Sequence, residues 1–181
     1  RRMAPSIRIG VVAPGTRIEP ELAARLKAFA ADSFLDRAPE IVVHPQCYLS
    51  AGHFAGDDEA RLKALVEYAN DPTLDAIWFA RGGYGACRIA EAALGQLNGA
   101  SRVKTYLGYS DNGAILGGLY ARGYANVAHG PIPVDMTRAG GEGAVKRALN
   151  WLIDRSPPSL PRSCRDQARL QRRASGCRSG P

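Results

Sequence analysis

Val103-Lys104-Thr105-Tyr106-Leu107-Gly108-Tyr109-Ser110-Asp111-Asn112 carries an apolar run into a turn, and Asn112–Ala121 continues it as a helix-forming stretch. Read this way, Val103–Leu107 is a strand and Gly108-Tyr109-Ser110-Asp111 is the sharp corner into the next helix. A serine on such a corner exposes its hydroxyl, and the following backbone N–H is aimed at the same point, which is the geometry of a nucleophile elbow. The strict G-x-S-x-G pattern is not met, because the second glycine, Gly113, comes one position late. Asp111 and Asn112 are good helix N-cap residues, so the same residues also read as a plain helix start.

The alternation of strand and helix extends outward from this corner. Upstream, Ile7–Ala13 is a β-rich run closed by Pro14-Gly15, and Glu21–Ala31 places Leu22, Leu26 and Phe29 at helical spacing. Ile41–His44 reads as a second strand. Asp57–Asn70 reads as a helix with an acidic first turn and an apolar face of Leu62, Leu65, Val66 and Ala69. In Asp75–Ala80, Ile77, Trp78 and Phe79 run together as in a strand buried on both faces. Arg88–Leu94 follows as a helix. Downstream, Ala125–Ala128 is a short strand closed by Gly130-Pro131, and Ala144–Ile153 is a final helix. This pattern predicts an α/β fold with a doubly wound, mostly parallel sheet. Such sheets bind ligands at the carboxyl ends of their strands.

Arg81-Gly82-Gly83-Tyr84-Gly85 stands at another of those ends. Glycine lets the backbone approach a ligand closely and adopt positive φ. The run is either a plain βα turn or a cradle of backbone N–H groups for an anion or oxyanion. It is not a Walker loop, since no Gly-Lys-Ser/Thr follows. It also lacks the G-x-G-x-x-G spacing of a dinucleotide site.

Composition narrows the class. The 181 residues are 45% hydrophobic and 23% charged, as in a globular domain. The net charge of +7 belongs mostly to one segment: residues 155–181 hold seven arginines and one aspartate, and residues 1–154 hold 17 basic and 16 acidic side chains. Without a basic stripe interleaved with aromatics in the body, nucleic-acid binding is not expected. No apolar run approaches the ~20 residues of a membrane span. Arg8 and Pro14-Gly15 interrupt the N-terminal run too early for a signal peptide, which points to the cytoplasm. Cys47, Cys87, Cys164 and Cys177 show no C-x-x-C spacing, and Cys47 and Cys87 read as buried thiols. His44, His53 and His129 have no helical i, i+4 pairing, so no metal is expected.

Taken together, these segments resemble the N-terminal domain of the LD-carboxypeptidase family, which includes muramoyltetrapeptide carboxypeptidases and microcin C7 self-immunity hydrolases. The likeness rests on Ile9-Gly10-Val11-Val12-Ala13-Pro14, on Phe54-Ala55-Gly56-Asp57-Asp58-Glu59-Ala60-Arg61, on Asp75 to Gly85, on Leu107-Gly108-Tyr109-Ser110-Asp111 and on His129-Gly130-Pro131. It runs from about residue 7 to residue 154. Gly15 departs from it, since the family often has serine there. The resemblance implies a class I glutamine amidotransferase-like, flavodoxin-like fold and a serine peptidase with a Ser-Glu-His triad. Ser110 is then the nucleophile, the N–H groups of Asp111 and Gly83 form the oxyanion hole, and Arg81, Gly82, Tyr84 and Gly85 border the substrate. The implied substrate is a murein tetrapeptide that loses its terminal D-alanine during cytoplasmic peptidoglycan recycling. No cofactor is implied, and full-length members are expected to be homodimers.

The family's glutamate and histidine lie in a C-terminal domain, whereas residues beyond Asp154 include neither residue type. Residues 1–154 are therefore expected to be the nucleophile domain, without the catalytic C-terminal domain. Residues 155–181, rich in Arg, Ser and Pro, are expected to be a disordered basic tail or the product of a shifted reading frame. On this reading the chain alone is inactive; the alternative is a fragment or binding module that keeps the glycine-lined pocket. A third possibility is an α/β hydrolase that uses His129 locally. Sequencing the gene around codon 155 tests the frame: a one-base shift there should restore a long second domain containing Glu and His.

Overall fold

Five short apolar segments pair side by side, and the helices between them return the chain to start each strand in the same direction. The computed structural model describes residues 6–155. The strands are β1 (Arg8–Val12), β2 (Glu40–Val43), β3 (Ala76–Phe79), β4 (Thr105–Gly108) and β5 (Val127–His129). Every pairing is parallel, in the order β2-β1-β3-β4-β5, with Val11 opposite Val43 and Trp78, Trp78 opposite Leu107, and Gly108 opposite His129. The expected α/β fold with a doubly wound parallel sheet is present. The order reverses beside β1, because β2 lies on one side of it and β3 on the other. At such a reversal the flanking loops part and leave a crevice at the strand ends.

Successive strand residues point to opposite faces, so each strand feeds two cores. One face carries Ile9, Val11, Trp78 and Leu107 against α1 (Pro20–Phe34) and α6 (Gly141–Asp154), which supply Leu26, Val145, Leu149 and Leu152. The other face carries Val12, Ile77, Phe79 and Tyr106. Against it pack α2 (Asp58–Asn70), α3 (Ala86–Leu94) and α5 (Gly113–Ala121), through Leu65, Ile89, Leu116 and Leu119 among others. No helix among the described residues is long and apolar enough to cross a membrane.

Several boundaries shift from the sequence expectation. Asp57 does not begin α2 but caps it, its Oδ1 accepting from the Ala60 N–H at 2.8 Å. Val103 is exposed and outside β4, and Lys104 turns inward to donate to the carbonyls of Asp71 and Leu74. Burial lowers the Lys104 pKa. The one-turn helix α4 (Gly99–Arg102), capped by Asn98, was not anticipated. His44 falls just after β2, where its Nδ1 accepts from the Gln46 N–H at 3.0 Å. The tail expectation for residues 156–181 falls outside the described residues.

The two described cysteines differ, which corrects the expectation that both are buried. Cys47 is fully buried and donates to the Val11 carbonyl at 3.4 Å, and burial pushes its thiol up to about 12. Cys87 is exposed, because Ala86, Ile89, Ala90 and Ala93 already occupy the inner face of α3. At pH 8 a thiol with that pKa is thiolate in only about one molecule in ten thousand. Iodoacetamide on the native protein at pH 8 should therefore alkylate Cys87 within minutes and leave Cys47 unmodified until the chain is unfolded, as read by peptide mass mapping.

Candidate functional site

The loops after β1, β3 and β4 meet at the carboxyl edge of the sheet, and the serine stands among them. Ser110 is exposed and adopts φ 63°, one of three non-glycine residues in the left-handed region among the described residues. That conformation costs a non-glycine residue on the order of 1–3 kcal/mol, so the surroundings have to impose it. Two neighbours in sequence do so. The Asn112 side chain is buried and donates from Nδ2 to the carbonyls of Tyr109 at 3.0 Å and Arg81 at 3.3 Å, tying the β4 corner to the β3 loop. The Asp111 carboxylate reaches across to the first turn of α3 and accepts from the Ala86 N–H at 3.0 Å. Asp111 thus caps the helix after β3 rather than its own, where an anion meets the positive end of the helix dipole.

The glycine pair of the β3 loop is required by the same packing. A Cβ on Gly82 would lie 2.9 Å from the Ser110 Cβ and 3.1 Å from its Oγ. Gly83 has φ 139°, and a Cβ there would lie 2.4 Å from the Thr16 Oγ1. The Thr16 N–H donates to the Gly82 carbonyl at 3.0 Å. The Gly82-Gly83 backbone is thus held between Ser110 on one side and Thr16 on the other. The Gly83 N–H meets no acceptor among the described residues.

Beneath this layer lies Arg61, which is 1% exposed. Its Nη1 donates to the Pro14 carbonyl at 2.7 Å and the Gly85 carbonyl at 2.8 Å, and its Nε donates to the Gly56 carbonyl at 3.2 Å. Burial pulls its pKa below the ordinary arginine value, opposed by the charge of Asp58. Asp58 pairs with both Arg61 and Arg88, and the Arg88 hydrogen bond leads in holding the Asp58 carboxyl low. One planar guanidinium therefore joins the β1 loop, the α2 entry and the β3 loop.

The result is a cavity of about 390 Å³ lined by Thr16, Arg81, Gly82, Gly83, Tyr109, Ser110, Ile132, Val134, Thr137 and Arg138. Of the residues expected from sequence, Arg81, Gly82, Gly83 and Ser110 come together here, with Asp111 directly behind them. Tyr84 and Gly85 do not join the lining. Tyr84 projects into solvent, 85% exposed, and Gly85 is buried against Arg61, where a Cβ would lie 2.5 Å from Nη1. Among the described residues, no histidine lines this cavity and the Ser110 hydroxyl makes no hydrogen bond. His129 ends β5 and lines two neighbouring cavities, its ring edge-on to Tyr109 at 6.0 Å. Among the described residues, no three His, Cys, Asp or Glu side chains gather as a metal site would require.

Sequence reasoning missed Thr16, Thr137, Asp135 and Arg138. The Asp135 carboxylate, 7% exposed, accepts from the Tyr109 hydroxyl at 3.0 Å and the Ile132 N–H at 2.9 Å, and pairs with Arg138 at 3.2 Å. Burial, together with this hydrogen bond, raises the Tyr109 pKa. The i, i+3 spacing of Asp135 and Arg138 was the only legible signal.

A model described as the LD-carboxypeptidase N-terminal domain matches residues 9–130. A curated carboxypeptidase sequence from Streptomyces coelicolor is 32% identical over 134 residues, covering 72% of this chain and 42% of the relative. Among solved structures, the microcin C7 self-immunity protein MccF, in complex with aspartyl sulfamoyl adenosine, aligns with TM-score 0.64 at 19% identity over 87% of this chain and 49% of its own. A muramoyltetrapeptide carboxypeptidase from Oxalobacter formigenes aligns with TM-score 0.56 at 21% identity over 70% of this chain and 40% of its own. The chain thus spans less than half the length of these relatives, and the two structures share its fold.

The Arg61 clamp yields a stability test. Replacing Arg61 by Met strands the carbonyls of Pro14 and Gly56, while Gly85 keeps the Arg88 N–H at 3.2 Å. With a penalty of ~1–3 kcal/mol for each buried group left unsatisfied, the variant should lose about 2 kcal/mol or more. Urea unfolding followed by tryptophan fluorescence reads this directly. Arg88→Met, which removes only the exposed partner of Asp58, should cost under ~1 kcal/mol.

Proposed function

The chain belongs to the LD-carboxypeptidase family, and from that premise we propose that its described residues form the nucleophile half of a serine carboxypeptidase that removes a terminal D-alanine from murein tetrapeptides. The observation that supports this most is the left-handed Ser110, exposed in a cavity and pressed against the side-chain-free backbone of Gly82. A strained residue held by buried hydrogen bonds from both flanking loops is what a positioned nucleophile requires.

In this mechanism Ser110 Oγ attacks the carbonyl carbon of the penultimate residue as its proton passes to a base. The tetrahedral oxyanion accepts hydrogen bonds from the backbone N–H groups of Asp111 and Gly83. Collapse breaks the C–N bond, and D-alanine leaves after its amine takes the proton. Water then cleaves the acyl-enzyme. A serine hydroxyl is a weak nucleophile until a neighbouring base takes its proton. We assign that base, and the glutamate that orients it, to a part of the full-length enzyme outside residues 6–155. On this reading the reaction belongs to cytoplasmic peptidoglycan recycling and is carried out by a homodimer without a cofactor. Residues 6–155 alone then supply the nucleophile and the oxyanion donors without the base, and their turnover is near background.

The test is D-alanine release from murein tetrapeptide. The isolated chain should release it at or near the uncatalysed rate. The same residues joined to the second half of a full-length family member should turn over, and Ser110→Ala should abolish that turnover. Gly82→Ala should lower kcat by at least about a hundredfold, the scale of a lost oxyanion donor, because the new methyl displaces Ser110. Ser110-dependent release of D-alanine by the isolated chain would instead move the base to one of its own histidines. Cleavage of an aminoacyl sulfamoyl nucleoside in preference to the peptide would replace murein as the substrate.

A further inference from the structure

We propose that Arg81 and Arg138, the two guanidinium groups on the wall of the Ser110 cavity, receive the free terminal carboxylate of the substrate, with Asp135 as the positioning residue that sets Arg138. This rests on the reading of Ser110 as the nucleophile.

The lining of the cavity includes two cations and no carboxylate. Both arginines are exposed and carry donors to spare. Arg81 uses one N–H on the Arg17 carbonyl at 3.3 Å, and Arg138 pairs with Asp135 through one nitrogen at 3.2 Å. A guanidinium has five N–H donors in a planar fork, so each keeps a face suited to two carboxylate oxygens. Their positions are not equivalent. Arg81 follows β3 directly and precedes the glycine pair. Arg138 comes from the segment after β5 and is tied to the serine's own turn, because Asp135 joins it to the hydroxyl of Tyr109, the residue before Ser110. Asp135 is buried and takes its third hydrogen bond from the Ile132 backbone, so it is a fixed post. Asp111, the other carboxylate nearby, accepts from α3 through Oδ2, keeps Oδ1 buried beside Gly82, and does not line the cavity.

The chemistry of the bond sets the distance. One extended residue spans at most ~3.6 Å, so the carboxylate of a departing terminal residue must fall in the same cavity as the scissile carbonyl. Ile132 and Val134 add apolar surface to the same lining, which suits a small side chain. A peptide that continues beyond this residue, or ends in an amide, offers the arginines no charge. The pair therefore selects for the chain end and makes an otherwise general hydrolase a carboxypeptidase.

The experiment is an NMR titration of the isotopically labelled 181-residue chain with acetyl-D-alanine, with acetyl-D-alaninamide, and with sulfate at matched ionic strength. Acetyl-D-alanine should shift the amide signals of Gly82, Gly83 and Ser110 and bind at least about tenfold tighter than the amide, as a charge-assisted contact requires. Arg138→Gln and Arg81→Gln should each weaken the acid and leave the amide unchanged. Asp135→Asn should shrink the acid-to-amide ratio, a readout that a purely structural role would not move. No binding of the acid, equal binding of acid and amide, equal binding of sulfate, or an undiminished ratio in Arg138→Gln would each overturn the proposal. Fluorophosphonate labelling of Ser110, run in parallel on the joined enzyme, reads the nucleophile separately. An inert serine with the acid preference intact sinks only the nucleophile reading, and a reactive serine without the preference sinks only the carboxylate receptor.

Discussion

Gly82 and Ser110 approach so closely that no side chain fits between them, and the rest of the site is built to hold that approach. The contact brings a backbone segment that can offer N–H groups next to a hydroxyl, at the cost of a left-handed serine. Four restraints converge on it. Asn112 ties the serine's corner to Arg81, and Asp111 ties it to the first turn of α3. Thr16 holds the Gly82 carbonyl from the opposite side, and Arg61 anchors the loops on which both glycines and Pro14 sit. Each restraint crosses between loops that follow different strands, so the site exists only when the sheet is assembled.

The sheet order explains why these loops meet. With β1 between β2 and β3, the chain leaves β1 toward one edge and returns on the other side, which opens a crevice above β1 and β3. The loop after β4 closes that crevice from the side and contributes Ser110. A buried arginine is costly unless its donors are used, and the carbonyls that open at such a reversal supply acceptors. Arg61 therefore solves two problems with one group: the unpaired loop carbonyls and its own desolvation.

Much of this was legible in the residues. The strands and the helices packed on them follow from short apolar runs and helical spacing, because burial rewards those periods whatever the wider context. The Ser110 corner and the Arg81 to Gly85 turn are local patterns of strand end, glycine and cap residue, and they appear where those patterns place them. The likeness to the LD-carboxypeptidase family rests on the same local stretches. The errors also share a cause. Asp111 looked like the cap of its own helix because spacing along the chain cannot show that α3 begins beside it in space. Cys87 looked buried because its type favours burial, whereas its place on the α3 helix puts it outside the inner face. Lys104 was read as part of a strand, yet it turns its ammonium to two carbonyls more than two dozen residues upstream.

By itself, then, the sequence determined the α/β alternation, the parallel sheet and the two turns that carry the serine and the glycines, because each depends on interactions within a few residues. Only the tertiary structure decided which of those residues face one cavity. It brought Arg81, Gly82, Gly83 and Ser110 together, left Tyr84 in solvent and Gly85 beneath the surface, and added Thr16, Asp135 and Arg138 from loops after other strands. The physical reason is the crossover between strands. It joins groups far apart in the chain through hydrogen bonds and close backbone contact, and no local pattern of residue types encodes the partner at the other end.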